Sequence, residues 1–293
     1  MTTARPDVSF VVPARNEADC IAACVSSLMR QAGNFRSEVI VVDNGSSDDT
    51  AALAVAAGAR VVAEPRPGLA HARQAGLHAV QAPILVYVDA DTTLPAEWTA
   101  DALRLFRRDP GLAAISPAFR FHDGRRRDDL GNLIFRRVLA PMTDATLRAV
   151  GRSGILIGST MAVRTAALRA AGGVDLAFQF YGEDTMIARR LNLHGDVRFV
   201  QEPTLHTSAR RYQDRGLLHV VYRYFVIFIL IQLGRLALAA RLARTFSACD
   251  RKQTDSARCR AMLLTSLRGE PFVPEQTLAV DEPPAEPRLQ LDA

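Results

Sequence analysis

The chain has 293 residues, 48% of them hydrophobic and 23% charged, so it can bury a sizeable core and is not a disordered chain. Its formal net charge is +5, almost all of it from arginine, since the only lysine is Lys252. Arginine favours phosphate and carboxylate partners, which fits phosphorylated substrates or an anionic membrane surface. Because the chain has no basic stripe with interleaved aromatic residues, we expect no nucleic-acid partner.

Strand and helix patterns alternate through the first hundred residues. No apolar stretch precedes the first strand, so we expect no signal peptide and a cytoplasmic chain. Helical spacing fills the gaps between strands, and Pro95 opens a further helix. This alternation predicts a doubly wound, mostly parallel α/β sheet of Rossmann-like type. Continuous apolar runs predict its buried strands at 8–12 (stopped by Pro13), 38–42, 60–63 and 84–88.

The middle of the chain is less regular. The charged segment 122–129 is interpreted as a loop or an exposed helix start, and 130–150 as a helix. A short helix ends at Gly172-Gly173, and Gly182 opens another that runs to Leu191. Further strands are predicted at 113–116, 118–121, 158–164 and 197–200.

The segment Leu217–Ala243 is apolar on almost every side and predicts one long helix. Its uninterrupted apolar stretch, 224–231, is shorter than the roughly 20 residues of a full membrane span. A core helix, a contact in a homodimer and a membrane-surface anchor remain open. We expect an α/β domain over 1–212, an apolar helical extension over 213–269 with membrane association as one of these alternatives, and a disordered, proline-rich and acidic tail over 270–293.

Asp89 and Asp91 follow the buried strand at 84–88 directly. In extended chain their side chains share a face, at the edge where open α/β sheets bind ligands. Two hard oxygen ligands suit Mg²⁺ or Mn²⁺, which can hold a diphosphate. The alternative is a strand end followed by an ordinary turn before the helix at Pro95.

Four other segments carry candidate chemistry. Asp43 could accept a hydrogen bond from a nucleotide base, and Arg73 could pair with phosphate. Singly, each has a structural alternative: a turn and helix cap, a solvated helix arginine, or, for Glu17, a first-turn glutamate. Together the first three segments should converge on one crevice with Asp89 and Asp91. The segments are 12–17, 41–50, 68–73 and 181–184.

These segments, in this order, resemble the family 2 glycosyltransferases of GT-A fold over roughly residues 8–212. The resemblance implies that a nucleotide-sugar donor is held by Pro13, Ala14, Arg15, Asn16, Glu17, Asp43, Gly45, Ser46, Arg73, Asp89, Ala90, Asp91, Gly158 and Ser159. It further implies that Asp91 binds the metal with help from His206, and that Asp184 is the general base, with Glu183 as the fallback.

Three departures from the family pattern limit this interpretation. Asn44 stands where an aspartate is usual, and Gln74 where an asparagine is usual. The Gln-x-x-Arg-Trp signature of processive synthases is absent; 210–215 lies near its place without matching. We therefore expect a metal-dependent, inverting transfer of one sugar to a hydroxyl acceptor, either a glycan or a lipid. The alternatives are a sugar-phosphate nucleotidyltransferase and a non-catalytic nucleotide- or glycan-binding relative.

Overall fold

The computed structural model describes residues 5–31, 33–152 and 154–251. Within these ranges one sheet contains seven strands: Val8–Ala14 (β1), Ser37–Asp43 (β2), Arg60–Ala63 (β3), Ile84–Val88 (β4), Leu112–Phe121 (β5), Thr160–Arg164 (β6) and Asp196–Thr207 (β7). The helices are Ile21–Met29 (α1), Thr50–Ala56 (α2), Leu69–Ala79 (α3), Trp98–Arg108 (α4), Arg126–Ile134 (α5), Ala140–Ala149 (α6), Thr165–Ala170 (α7), Glu183–Leu191 (α8), Arg210–Arg215 (α9), Leu217–Gln232 (α10) and Leu236–Arg251 (α11). A π-helical turn, Phe135–Leu139, joins α5 to α6.

The strand order is β3-β2-β1-β4-β6-β5-β7. Six strands run in one direction, and β6 runs antiparallel to both of its neighbours. The start of β6 therefore lies at the edge where the other strands end. This reversal places residues before β6 at the ligand-binding edge, although they precede a strand rather than follow one. The mostly parallel, helix-covered sheet predicted from the sequence is confirmed.

Apolar side chains cover both faces of the sheet. On one face α1, α2 and α4 pack through residues such as Ile21, Ala54 and Trp98. On the other, α3, α7 and α8 pack through residues such as Leu77, Leu168 and Ile187. Burial on both faces explains why the strands form continuous apolar runs in the sequence rather than alternating ones.

Two strands continue through a proline. The sequence predicted that the first strand ends before Pro13 and that separate strands lie on either side of Pro117. Pro13 lies inside β1, where it pairs with β2, but the pairing of β1 with β4 ends at Val11. Its missing N–H therefore costs no bond in the ladder to β4. Pro117 lies inside β5, which is one strand and not two, and the register with β7 shifts beside it. A bulge is a usual place for proline in a sheet.

The prediction of one helix over Leu217–Ala243 is wrong. The chain forms α10 and α11, separated by a turn in which Gly234 has φ 73°. α10 packs Ile227 and Ile231 against Phe178 and Tyr181, and α11 packs on the same cluster. None of the helices in the described ranges combines the length and the apolarity needed to cross a bilayer. The domain limits at 212 and 269 stay predictions, and the predicted tail over 270–293 lies outside the described residues.

Candidate active site

Arg73 is the hub of a polar cluster at the carboxyl edge of the sheet. It comes from the second turn of α3 and is fully buried. One terminal nitrogen donates to Glu183 Oε1 at 2.8 Å; the other donates to the Gly158 carbonyl at 2.6 Å and reaches Asp89 Oδ1 at 3.5 Å. A buried guanidinium needs such partners, because an unpaired charge in the interior is strongly unfavourable. Arg73 thus ties α3, α8, β4 and the segment before β6 together.

Asp184 and Glu183 form the first turn of α8, where the helix dipole favours negative charge. Asp184 accepts the N–H groups of Gly158 at 3.1 Å and of Thr185 at 2.6 Å. Burial raises the pKa of Asp184, while Arg73 and these hydrogen bonds oppose the rise. Burial also raises the pKa of Glu183 to about 8, with Asp184 adding to the rise and Arg73 opposing it. Oε1 of Glu183 accepts from Arg73, and its Oε2 is buried with no hydrogen-bond partner among the described residues.

Gly158 lies close to all three of these side chains. A Cβ at this position would lie 3.3 Å from Glu183 Oε1, 3.4 Å from an Arg73 nitrogen and 3.6 Å from Asp184 Oδ2. Its main chain both donates to Asp184 and accepts from Arg73. The next carbonyl, of Ser159, accepts the N–H of Asp89 at 3.0 Å. The predicted donor residues Gly158 and Ser159 therefore meet Asp89 and Asp184 directly.

Asp89 and Asp91 lie just past β4, as predicted, with the buried Ala90 between them. The pKa of Asp89 is raised, because burial and the nearby Asp91 outweigh the pull of Arg73. Asp91 Oδ1 lies 3.4 Å from the Thr207 hydroxyl, which is at the end of β7. Successive side chains of a strand point to opposite faces, and His206 is exposed. The side chain brought to Asp91 is that of Thr207, not of His206.

The described residues contain no group of three or more His, Cys, Asp or Glu side chains that could hold a metal ion. Asp89, Asp91 and His206 therefore do not form such a group. Mg²⁺ is commonly bound by one or two carboxylates plus substrate phosphates rather than by an all-protein cage. The carboxylate pair by itself fits a cation of that kind.

The predicted donor loops after β1 and β2 are bonded to each other. Asn16, with φ 54°, accepts the Ser47 N–H at 2.8 Å, and its own N–H donates to the Ser46 hydroxyl at 3.1 Å. The Glu17 N–H donates to Thr50 at 2.8 Å. These hydrogen bonds hold the end of β1, with Pro13, Ala14 and the following Arg15, next to the end of β2, with Asp43 and the nearby Gly45.

Asn44 has a structural role. Its amide donates to the carbonyls of Glu64 at 2.9 Å and Arg66 at 2.7 Å, and its oxygen accepts the Gly68 N–H at 2.8 Å. A carboxylate could not make the two donations. The asparagine that departs from the family pattern thus holds the loop leading into α3, and with it Arg73.

Three further residues reach the site from α9 and α10. Arg210 forms an ion pair with Glu17 at 2.9 Å. Arg211 donates to the Tyr224 hydroxyl at 3.0 Å and lies 4.3 Å over the Phe180 ring. Sequence reasoning gave none of them a role, and the only signal was the arginine-rich segment near the place of the missing processive signature.

The family model described as Glycosyl transferase family 2 matches residues 9–171, more than half of the chain. The chain therefore belongs to this family.

Individual relatives match over shorter stretches. An uncharacterized glycosyltransferase of Mycobacterium tuberculosis is 40% identical over 89 residues, which are 30% of this chain and 38% of that protein. Glucosyl-3-phosphoglycerate synthase of Mycolicibacterium paratuberculosis is 40% identical over 96 residues, 30% of this chain and 29% of the synthase. The match thus spans well under half the length of either relative.

Among solved structures, glucosyl-3-phosphoglycerate synthase from Mycobacterium tuberculosis, in complex with Mn²⁺, UDP and glucosyl-3-phosphoglycerate, superposes with a TM-score of 0.55. The two chains are 23% identical, and the superposition covers 78% of this chain and 80% of the other. At this identity the likeness shows the GT-A fold alone.

Proposed function

We propose that the chain transfers one sugar from a nucleoside-diphosphate sugar to a hydroxyl acceptor, with inversion at the anomeric carbon and with the help of a divalent cation. The observation that carries the proposal is the position of Asp184. Its carboxylate is held by two main-chain N–H groups, beside the Arg73 cluster and at the sheet edge where ligands bind.

In the proposed reaction Asp184 accepts the proton of the acceptor hydroxyl. The hydroxyl oxygen forms a bond to the anomeric carbon while the bond from that carbon to the diphosphate oxygen breaks. The electron pair of the broken bond leaves with the nucleoside diphosphate, and attack from the opposite side inverts the configuration. A base with a raised pKa suits this step, because it lies nearer to the operating pH.

Arg73 and Glu183 position the site rather than react. The carboxyl groups of Asp184 and Glu183 are both buried, but Glu183 is held by Arg73 in an ion pair at 2.8 Å. This supports Asp184 rather than Glu183 as the base. Through the Gly158 carbonyl, Arg73 also fixes the main chain that donates to Asp184.

A divalent cation, when bound, would neutralise charge on the leaving diphosphate. The residues proposed to hold it are Asp91 and Asp89. The solved synthase complex contains Mn²⁺ together with UDP, which supports a metal in the same role here. His206 is left out of the proposed set because it is exposed and Thr207 takes the place beside Asp91.

The donor and acceptor are proposed only as classes. The partial match to glucosyl-3-phosphoglycerate synthases makes UDP-glucose and 3-phosphoglycerate the first pair to try. Glycan and lipid hydroxyls are the other acceptor classes. The missing processive signature supports transfer of one sugar rather than chain synthesis.

The test is a thermal-shift series with UDP, GDP and their sugars, with and without Mn²⁺, followed by turnover measurements. Ligand that binds only the folded chain raises its stability by mass action. We expect a nucleoside diphosphate to raise Tm more with Mn²⁺ than without, and Asp91→Asn to remove this difference. The control Asp101→Asn, on α4, should keep it.

The anomeric configuration of the product, measured by NMR, tests inversion. A product that retains the donor configuration would overturn the proposed single displacement. Unchanged Mn²⁺ dependence in Asp91→Asn would overturn the metal assignment.

A further inference from the structure

The helix formed by α5, the π-helical turn and α6 has its polar side turned inward. Every fourth residue is buried, and four of these five residues are polar or charged: Asp128, Asn132, Arg136, Ala140 and Asp144. The inner side packs on the sheet. Asp144, for example, accepts the N–H groups of Ile155 at 3.0 Å and Phe199 at 3.1 Å.

The outer side of the same helix is apolar. Six large hydrophobic side chains are between 44% and 63% exposed: Leu130, Leu133, Ile134, Val138, Leu139 and Met142. We call this set the outer apolar face. A helix on the surface of a water-soluble domain normally shows the reverse pattern. Single exposed hydrophobic residues are ordinary, but a contiguous stripe marks an interaction surface.

The π-helical turn keeps this face continuous. A four-residue step in an α-helix drifts by about 40° around the axis. The wider turn at Phe135–Leu139 winds fewer degrees per residue, which offsets the drift. Leu130, Ile134, Val138 and Met142 therefore stay on one side along the whole length.

Exposed arginines border the outer apolar face. Within 125–149 the exposed charged side chains include one acid, Asp129, and five arginines: Arg125, Arg126, Arg127, Arg137 and Arg148. An apolar stripe with a basic border is the pattern of a helix that lies in an anionic lipid interface. Arg127 and Arg148 pair with Asp128 and Asp144 of the same helix. A symmetric contact with a second copy would bring the other three arginines together with their counterparts, and the exposed acid Asp129 is too little to balance them.

We propose that the outer apolar face docks the chain on an anionic membrane surface, with the hydrophobic side chains in the acyl boundary and the arginines at the headgroups. The inference goes beyond sugar transfer and does not depend on it. It also places membrane contact on a segment different from Leu217–Ala243.

The test is flotation of the full chain with vesicles of phosphatidylcholine alone or with added phosphatidylglycerol. The wild-type chain should float with the anionic vesicles and less as salt is raised. Ile134→Glu with Val138→Glu should lower the partition coefficient at least about tenfold, since two apolar contacts are replaced by charge. Arg126→Gln with Arg137→Gln should lower it by about 25-fold, from roughly fivefold per arginine.

The matched control substitutions lie on α2, away from the outer apolar face, or in the first 30 residues of the chain. Val55→Glu changes an exposed valine on α2, and Arg5→Gln with Arg30→Gln removes two exposed arginines. These variants should float like the wild type, and thermal unfolding of every variant checks its fold.

The proposal is overturned if the wild-type chain does not float, or if the outer-face variants float as well as the controls. It is also overturned if sedimentation shows a dimer in detergent-free buffer that Ile134→Glu with Val138→Glu converts to monomer, because a second copy would then cover the face. None of these results bears on the transferase activity, which is measured separately with a soluble donor.

Discussion

Asp184 is the side chain whose loss should separate binding from chemistry. A base acts on the acceptor hydroxyl and not on the nucleotide. Asp184→Asn should therefore keep the Kd for nucleoside diphosphate and lose about 10²- to 10⁴-fold in kcat. Calorimetry and steady-state kinetics measure the two quantities. Glu183→Gln is the neighbouring comparison, and a larger loss of kcat in that variant than in Asp184→Asn would move the base to Glu183.

The raised pKa of Asp184 has a consequence for the pH dependence of turnover. The base works only when ionised, so kcat should be full above this pKa and fall as pH drops through it. The acidic limb of the kcat profile should lie above the ordinary range of an aspartate. The limb should persist in Glu183→Gln. A limb within the ordinary aspartate range would contradict the assignment.

Replacing Arg73 should lower the free energy of unfolding, because its removal leaves buried acceptors without their donor. Arg73→Met should destabilise the chain by about 3–5 kcal/mol, the usual cost of breaking a buried ion pair. Arg73→Met with Glu183→Gln should cost less than Arg73→Met alone, because one buried carboxyl is removed together with its cation. Urea unfolding of the wild type and the variants measures this. Strictly additive costs would show that the two side chains are not coupled.

At the scale of elements, Gly182 couples α8, the helix that contains the proposed base, to α10. Its φ is 84°, and a Cβ there would lie 2.6 Å from Ile227 Cγ2. Gly172 has the same φ but open space around it. Gly172→Ala should cost about 1–2 kcal/mol from backbone conformation alone. Gly182→Ala should cost a further 1–3 kcal/mol or so from overpacking, measured as a difference in denaturant midpoints.

The same pair of variants reports on the site. Displacing α10 from Gly182 should also lower kcat, because Glu183 and Asp184 follow directly. If Gly182→Ala is no less stable than Gly172→Ala, then α10 does not press on the start of α8.

At the scale of the whole molecule, α10 and α11 pack against the segment that leads into α8. Ile227 and Ile231 share one apolar cluster with Phe178 and Tyr181, directly before the turn that contains the proposed base. Arg211 and Tyr224 add polar contacts on the same side. The segment Leu217–Ala243 is apolar, and a membrane anchor was one explanation for this. Packing of α10 and α11 on Phe178 and Tyr181 accounts for part of that apolar character. The membrane contact proposed above uses a different surface, on the segment for which the sequence predicted a charged loop or helix start over 122–129 and a helix over 130–150.

The sequence by itself determined the elements and the motifs. Strands buried on both faces show up as apolar runs, and helices between them show their own spacing, because both patterns are local. The segments that follow the strands could be placed at one edge, because parallel strands all end on the same side of the sheet. Asp43, Asp89 and Asp91 lie at that edge, as predicted.

Only the tertiary structure decided which of these side chains meet. Arg73 and Glu183 are 110 positions apart, and their contact depends on strand order and on the reversal of β6. The choice between His206 and Thr207 beside Asp91 depends on strand register, since a shift of one residue exchanges the two faces. The sequence did not predict that the helix formed by α5 and α6 buries its polar side. Helical spacing fixes which residues share a face, but packing against the sheet decides which face turns inward.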